Sequence, residues 1–145
     1  MTAPAKHTRS IHVDAPVEKV FGYIAEPKHF VASMPEESHS VLGGKVKQTP
    51  EGVVTEYQIE HREFGRHMTT TVTRAEYVPN ERLVDHASLG VDYILSVEPD
   101  DTGTKLTYAW DSSQLWKMVS KTFFGGDRWV EGALTKFKER IEALP

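Results

Sequence analysis

The sequence contains no cysteine, which excludes disulfides, thiolate metal sites and cysteine nucleophiles at the outset. It also lacks any run of lysine or arginine. Its 17 basic residues stand against 21 acidic ones, and a net charge of -4 is not the electrostatic footprint of a nucleic-acid binder. No stretch approaches the roughly 20 apolar residues of a membrane-spanning helix, and Met1 to Lys6 has no apolar core of the signal-peptide kind. Neither membrane insertion nor export is expected, and a reducing cytoplasm fits these absences. Gly-x-Gly-x-x-Gly, the Walker phosphate loop and Gly-x-Ser-x-Gly are missing as well, so nucleotide-dependent and serine-hydrolase chemistry has no foothold and no cofactor is expected.

What is present is an ordinary globular balance, 39% apolar and 26% charged, in 145 residues. A chain of that length buries roughly two thirds of its unfolded surface, enough for a core. There is no internal repeat, low-complexity tract or linker, so residues 1–145 read as one domain, a monomer or homodimer.

Residues 8–13 alternate as a short strand, with Arg9, Ile11 and Val13 on one side. A helix signal follows: Asp14 as N-cap, Pro16 in the first turn, and Val17, Val20, Phe21 and Ile24 at helical spacing. Ala25-Glu26-Pro27 breaks that helix and starts a second, with Phe30, Val31 and Met34 on its apolar side and Pro35 stopping it. From about residue 38 to 113, alternating segments separated by turn clusters predict a six-stranded meander. Helical period returns around Leu115 to Phe124. After Gly125-Gly126, with Asp127 as a possible cap, it continues as an apolar stripe of Val130, Ala133, Leu134, Phe137, Ile141 and Leu144. An antiparallel sheet with one polar and one apolar face needs a cover, and this stripe supplies it.

Hairpin arithmetic sets the inward face. A turn at Glu63 to Arg66 pairs His61 with Met68, Ile59 with Thr70 and Tyr57 with Val72. A turn at Pro79-Asn80 puts Leu83, Asp85 and Ala87 on the face of Val72 and Arg74, with Asp85 opposite or diagonal to Arg74. The turn at Asp100 to Gly103 sets Leu95 against Tyr108 and Tyr93 against Trp110. Together with Phe137 of the closing helix, these inward residues are the candidate ligand contacts: Tyr57, Ile59, His61, Met68, Val72, Arg74, Asp85, Tyr93, Leu95, Tyr108 and Trp110.

His61, Arg74 and Asp85 are the candidates for chemistry. A histidine there can move a proton near neutral pH, and an arginine can stabilise a developing enolate. Satisfied core or rim roles are the alternative for each. His61 and His67 fall on opposite faces, and no metal-ligand spacing appears, so no metal is expected. The apolar segment Trp116 to Phe124 is read as a lid, a dimer contact or ordinary packing.

Several stretches resemble the SRPBCC superfamily of START and birch-pollen-allergen proteins, and within it the bacterial polyketide cyclase/dehydrase branch. They are Ile11 to Phe21, the Tyr23 to Pro27 break, Met34-Pro35, Glu98-Pro99 followed by Gly103 to Leu106, and the terminal helix. The resemblance implies a helix-grip fold of class α+β, in which a curved seven-stranded antiparallel sheet wraps a long C-terminal helix. Two short helices sit between strands 1 and 2, and an internal cavity takes a small hydrophobic molecule of lipid, polyketide or aromatic type. The same family includes cyclases or dehydratases and cochaperone-like interaction modules, which stand as the two rival expectations.

Overall fold

The computed structural model describes residues 7–34, 39–63, 65–88, 90–112 and 127–144. Its strands are β1 (His7–Val13), β2 (Val41–Gln48), β3 (Val54–Glu63), β4 (Arg66–Val78), β5 (Arg82–Ala87), β6 (Val91–Asp100) and β7 (Gly103–Ser112). All seven pair antiparallel in the order β1-β7-β6-β5-β4-β3-β2. Helices α1 (Val17–Ile24) and α2 (Pro27–Ala32) stand between β1 and β2 in the chain, and α3 (Asp127–Glu142) follows β7. This is a helix-grip-like α+β arrangement: a meander from β2 to β7, with β1 returning to the free edge of β7.

Strand alternation builds the sheet's two faces. Along β6, buried Val91, Tyr93, Leu95 and Val97 alternate with half-buried Asp92, Ile94 and Ser96, the two-residue period of a sheet covered on one side. The outer face is polar and carries the cross-strand pairs Lys47–Glu56 and His67–Glu60, both at 3.1 Å.

Helix α1 begins later than the sequence suggests. Pro16, rather than Asp14, occupies its N-cap position, with extended ψ of 155° and no side-chain cap. The Pro16 carbonyl accepts from Lys19 and Val20 N–H at 3.0 and 3.1 Å, so helical bonding starts two residues beyond Asp14. At the other end, Glu26 is extended (ψ 119°), as the residue before a proline prefers, and Pro27 opens α2 at a position where a missing N–H costs nothing. In α3, Asp127 already lies within the helix rather than capping it.

Helix α3 buries Val130, Ala133, Leu134, Phe137 and Ile141 against β1, β7 and α1. Leu144, expected to extend this stripe, is 40% exposed because the helix ends at Glu142. Polar contacts fasten α3 to β1. Arg9 Nε lies 3.2 Å from Glu131, Lys138 donates to the His12 carbonyl at 2.8 Å, and Glu142 accepts the Asp14 N–H at 2.9 Å. The hydrogen bond from Lys138, helped by that N–H, holds the Glu142 carboxyl below its ordinary range. The β6–β7 turn passes against this junction so closely that a Cβ at Gly103 would lie 2.2 Å from the Val13 carbonyl oxygen, which only glycine permits.

Candidate functional site

The inner face collects what the strand register predicts. Tyr57 pairs with Val72, Ile59 with Thr70 and His61 with Met68. Arg74, Asp85, Tyr93 and Trp110 form one lateral row across β4, β5, β6 and β7. Tyr57, Ile59, Val72, Tyr93, Leu95, Tyr108, Trp110 and Phe137 are all buried, and Met68 is half-buried.

Arg74 meets Asp85 through a bulge. β4 pairs Arg74 with Asp85 but Glu76 with Val84, so Ala75 is an extra residue in the ladder. Without that insertion the β4–β5 turn would set Arg74 across from His86, and Asp85 would point to the other face. The turn itself uses Asn80 in the left-handed region at φ 60°.

The polar centre that results is closed. Asp85 Oδ1 accepts from Arg74 Nε at 2.8 Å, while Oδ2 accepts from Arg74 Nη2 at 3.1 Å and from the Tyr57 hydroxyl at 2.8 Å. Arg74 Nη1 donates at 3.2 Å to the carbonyl of Ala25, the C-cap of α1, so one guanidinium ties sheet to helix. The side chains of Arg74 and Asp85 are only 4% and 1% exposed.

Burial, reinforced by the neighbouring Asp85 charge, raises the Tyr57 phenol well above its usual range and keeps it a donor. Burial works against the Arg74 charge, but the hydrogen bond and charge of Asp85 outweigh it and hold the guanidinium above its ordinary value. Tyr108 is raised likewise, first by burial and then by Tyr93 and Asp85.

His61 stands apart. It lies four residues from Tyr57 along β3, about 13 Å at strand rise, and its Nε2 is 2.7 Å from Thr70 Oγ1 rather than near Arg74 or Asp85. Of the three candidates for chemistry, two are joined and one is separate. Burial, with a smaller contribution from His67, lowers the His61 pKa from 6.5, so the imidazole is neutral at pH 7 and able to accept a proton.

A group whose folded pKa is lowered in this way favours the fold fully above its unfolded value of 6.5, and the benefit is lost as pH falls from there through the lowered folded pKa. The urea midpoint of the native protein is therefore expected to drop more between pH 7.5 and 5.5 than that of His61→Gln, which cannot titrate. Parallel losses in the two proteins would contradict the neutral imidazole.

Neither the His61–Thr70 contact nor the Arg74–Ala25 contact was foreseen from the sequence. Thr70 was legible from its register opposite Ile59, whereas the Ala25 carbonyl could be found only from the packing of α1. Near the same junction, His29 stacks on Tyr23 with ring centroids 3.7 Å apart, and Tyr23 packs edge-on against Phe137. Among the described residues, no group of three or more His, Asp or Glu is placed to hold a metal. The segment Trp116 to Phe124 lies outside the described residues.

Among solved structures, protein CV1439 from Chromobacterium violaceum superposes with TM-score 0.63 at 18% identity, covering 97% of this chain and 100% of its own. Ms6760 from Mycobacterium smegmatis gives 0.69 at 13%, covering 97% and 98%. The di-domain ARO/CYC StfQ of the steffimycin biosynthetic pathway gives 0.61 at 13%, covering 93% of this chain and 50% of that one. At such identities the likeness speaks to the fold. No curated protein matches the chain. The sequence profile described as "polyketide cyclase / dehydrase and lipid transport" matches residues 4–144, nearly the whole length. The chain belongs to that polyketide cyclase/dehydrase and lipid transport family.

Proposed function

We propose that this protein binds a small hydrophobic molecule of lipid, polyketide or aromatic type between the inner face of the sheet and α3, without transforming it. The observation that carries the reading is the closure of the Tyr57–Asp85–Arg74 unit. Asp85 already accepts three hydrogen bonds, which leaves it poorly placed to abstract a proton, and Tyr57 is held as a phenol. Arg74 spends three of its five N–H groups on Asp85 and Ala25, and the remaining two can orient one polar group of a largely apolar ligand. The reading takes the chain as one domain acting in the cytoplasm, as a monomer or homodimer and without a cofactor.

The test is native mass spectrometry of freshly purified protein against a denatured sample, with titration of the neutral dye N-phenyl-1-naphthylamine. A co-purifying mass, or saturable dye fluorescence that Phe137→Trp reduces, supports an internal site. Neither signal would sink it.

The neutral His61 favours a second reading, a cyclase or dehydratase in which His61 accepts a proton alpha to a carbonyl and Arg74 steadies the enolate. In that case His61→Gln abolishes conversion of a poly-β-ketone thioester mimic while dye binding persists. The separation of His61 from Arg74 and its bond to Thr70 weigh against it.

A further inference from the structure

Outside the sheet's interior, a hollow of about 450 Å³ opens where the end of α2, the residues leading into β2 and the second half of α3 come together. That volume lies within the range of small-molecule sites. One wall is apolar, made by Val31, Ala32 and Met34, of which Val31 is buried and belongs to the core. The rest of the lining is polar, with Ser40 beside three nitrogen-bearing side chains. Lys136 and Arg140 stand one turn apart on α3, and His39 faces them from the approach to β2.

No acidic side chain is among the described residues lining the hollow, although acidic residues outnumber basic ones in the chain as a whole. Lys136 is anchored by one of its three N–H groups, which donates to the Met34 carbonyl at 2.9 Å; this holds the ammonium at the mouth with two donors to spare. Arg140 is exposed, forms no ion pair among the described residues, and carries a five-donor fork suited to a carboxylate. Elsewhere on α3, Glu131 pairs with Arg9 and Lys138 with Glu142. A basic pair beside an apolar wall is the complement of an anion that carries hydrocarbon.

We propose that this hollow is a binding site for a small organic carboxylate with an apolar tail. The carboxylate lies against the Arg140 fork and the Lys136 ammonium, and the tail lies along Val31, Ala32 and Met34. The site is independent of the interior one, since none of its lining residues lies on the inner face of the sheet.

The experiment is titration of ¹⁵N-labelled full-length protein with decanoate, using decanol as the uncharged control. Decanoate is expected to shift the amides of residues 31–34, 39–41 and 136–140 in saturable fashion, with decanol binding at least tenfold more weakly. Arg140→Glu is expected to weaken decanoate at least tenfold with only a small drop in melting temperature, from losing a cation in the last turn of α3, while Arg140→Lys keeps most of the affinity. Shifts confined to inner-face residues such as Tyr57 and Leu95, equal binding of decanol, or indifference to Arg140→Glu would each overturn the proposal.

Discussion

Asp85→Ala is expected to lower the folding free energy by about 3–5 kcal/mol, the range for removing one partner of a buried ion pair. The cause lies less in lost attraction than in what is left behind. With Asp85 gone, the Arg74 guanidinium, 4% exposed, keeps the Ala25 carbonyl and the Tyr77 ring, 5.9 Å away, as partners but no anion among the described residues, and the Tyr57 hydroxyl loses its acceptor. Burial already works against the Arg74 charge, so without the carboxylate that penalty stands unopposed.

A graded series separates the contributions. Tyr57→Phe removes one hydrogen bond but strands no charge, and about 1 kcal/mol is expected. Replacing both charged partners, Arg74→Met with Asp85→Leu, removes the charges together and is expected to cost far less than Asp85→Ala alone. Urea unfolding followed by circular dichroism gives all three values. An Asp85→Ala cost below about 1 kcal/mol, at the level of an exposed pair, would mean that the centre is open to water.

Phe137→Ala is the second large effect, with about 3–5 kcal/mol of stability lost. Phe137 is 1% exposed, sits mid-way along α3 and meets the Tyr23 ring edge-on at a centroid distance of 6.3 Å. The Tyr23 ring is itself stacked on His29, so the cavity cannot collapse from that side without breaking a second contact. Truncation should therefore leave space between helix and sheet rather than a repacked core, and apolar cavities of this kind stay dry and accept apolar guests. Tighter binding of N-phenyl-1-naphthylamine by Phe137→Ala than by the native protein, alongside the loss in urea midpoint, is the expected pair of results. A stability loss under about 1 kcal/mol would show that α3 does not clamp the sheet through this ring.

The inner face was legible because strand alternation has a period of two. Once the turns at Glu63 to Arg66 and Asp100 to Gly103 are located, counting back along each strand places Tyr57, Ile59 and His61, and likewise Tyr93 and Leu95. Counting fails where the ladder is irregular. At β4–β5 the sequence leaves Asp85 opposite or diagonal to Arg74, and the unpaired Ala75 decides it. Nothing in Arg74-Ala75-Glu76 marks a bulge; the residues on either side of it, Arg74 and Tyr77, reach the end of α1 and the Phe21 ring, contacts that sequence spacing does not show. Register also separates the candidates for chemistry: His61 lies across from Met68, six residues from Arg74 along β4, so the three fall in two places on one face.

Local rules also fell short at helix ends. Asp14 is a favourable cap by residue type, yet Pro16 sets the start of α1 because its own carbonyl begins the ladder, and the Asp14 N–H is drawn to Glu142 on α3. Leu144 continues the spacing of the α3 stripe past the point where the helix stops. Periodicity reports what a helix would bury, not where it ends.

By itself, the sequence determined what depends on near neighbours along the chain: the order of the elements, the polar and apolar faces of the sheet, the break at Pro27 and the stripe of α3. It also excluded cysteine chemistry outright. Only the tertiary structure decided how Arg74 is spent, that Tyr57 and Asp85 close around it, that His61 turns to Thr70, and that Lys136 and Arg140 share a hollow with Met34. The physical reason is range. Turns and alternation are set by a few consecutive residues, whereas hydrogen bonds and charge in a buried centre depend on atoms 11 to 49 residues apart, whose meeting is fixed only when the sheet and its helices pack.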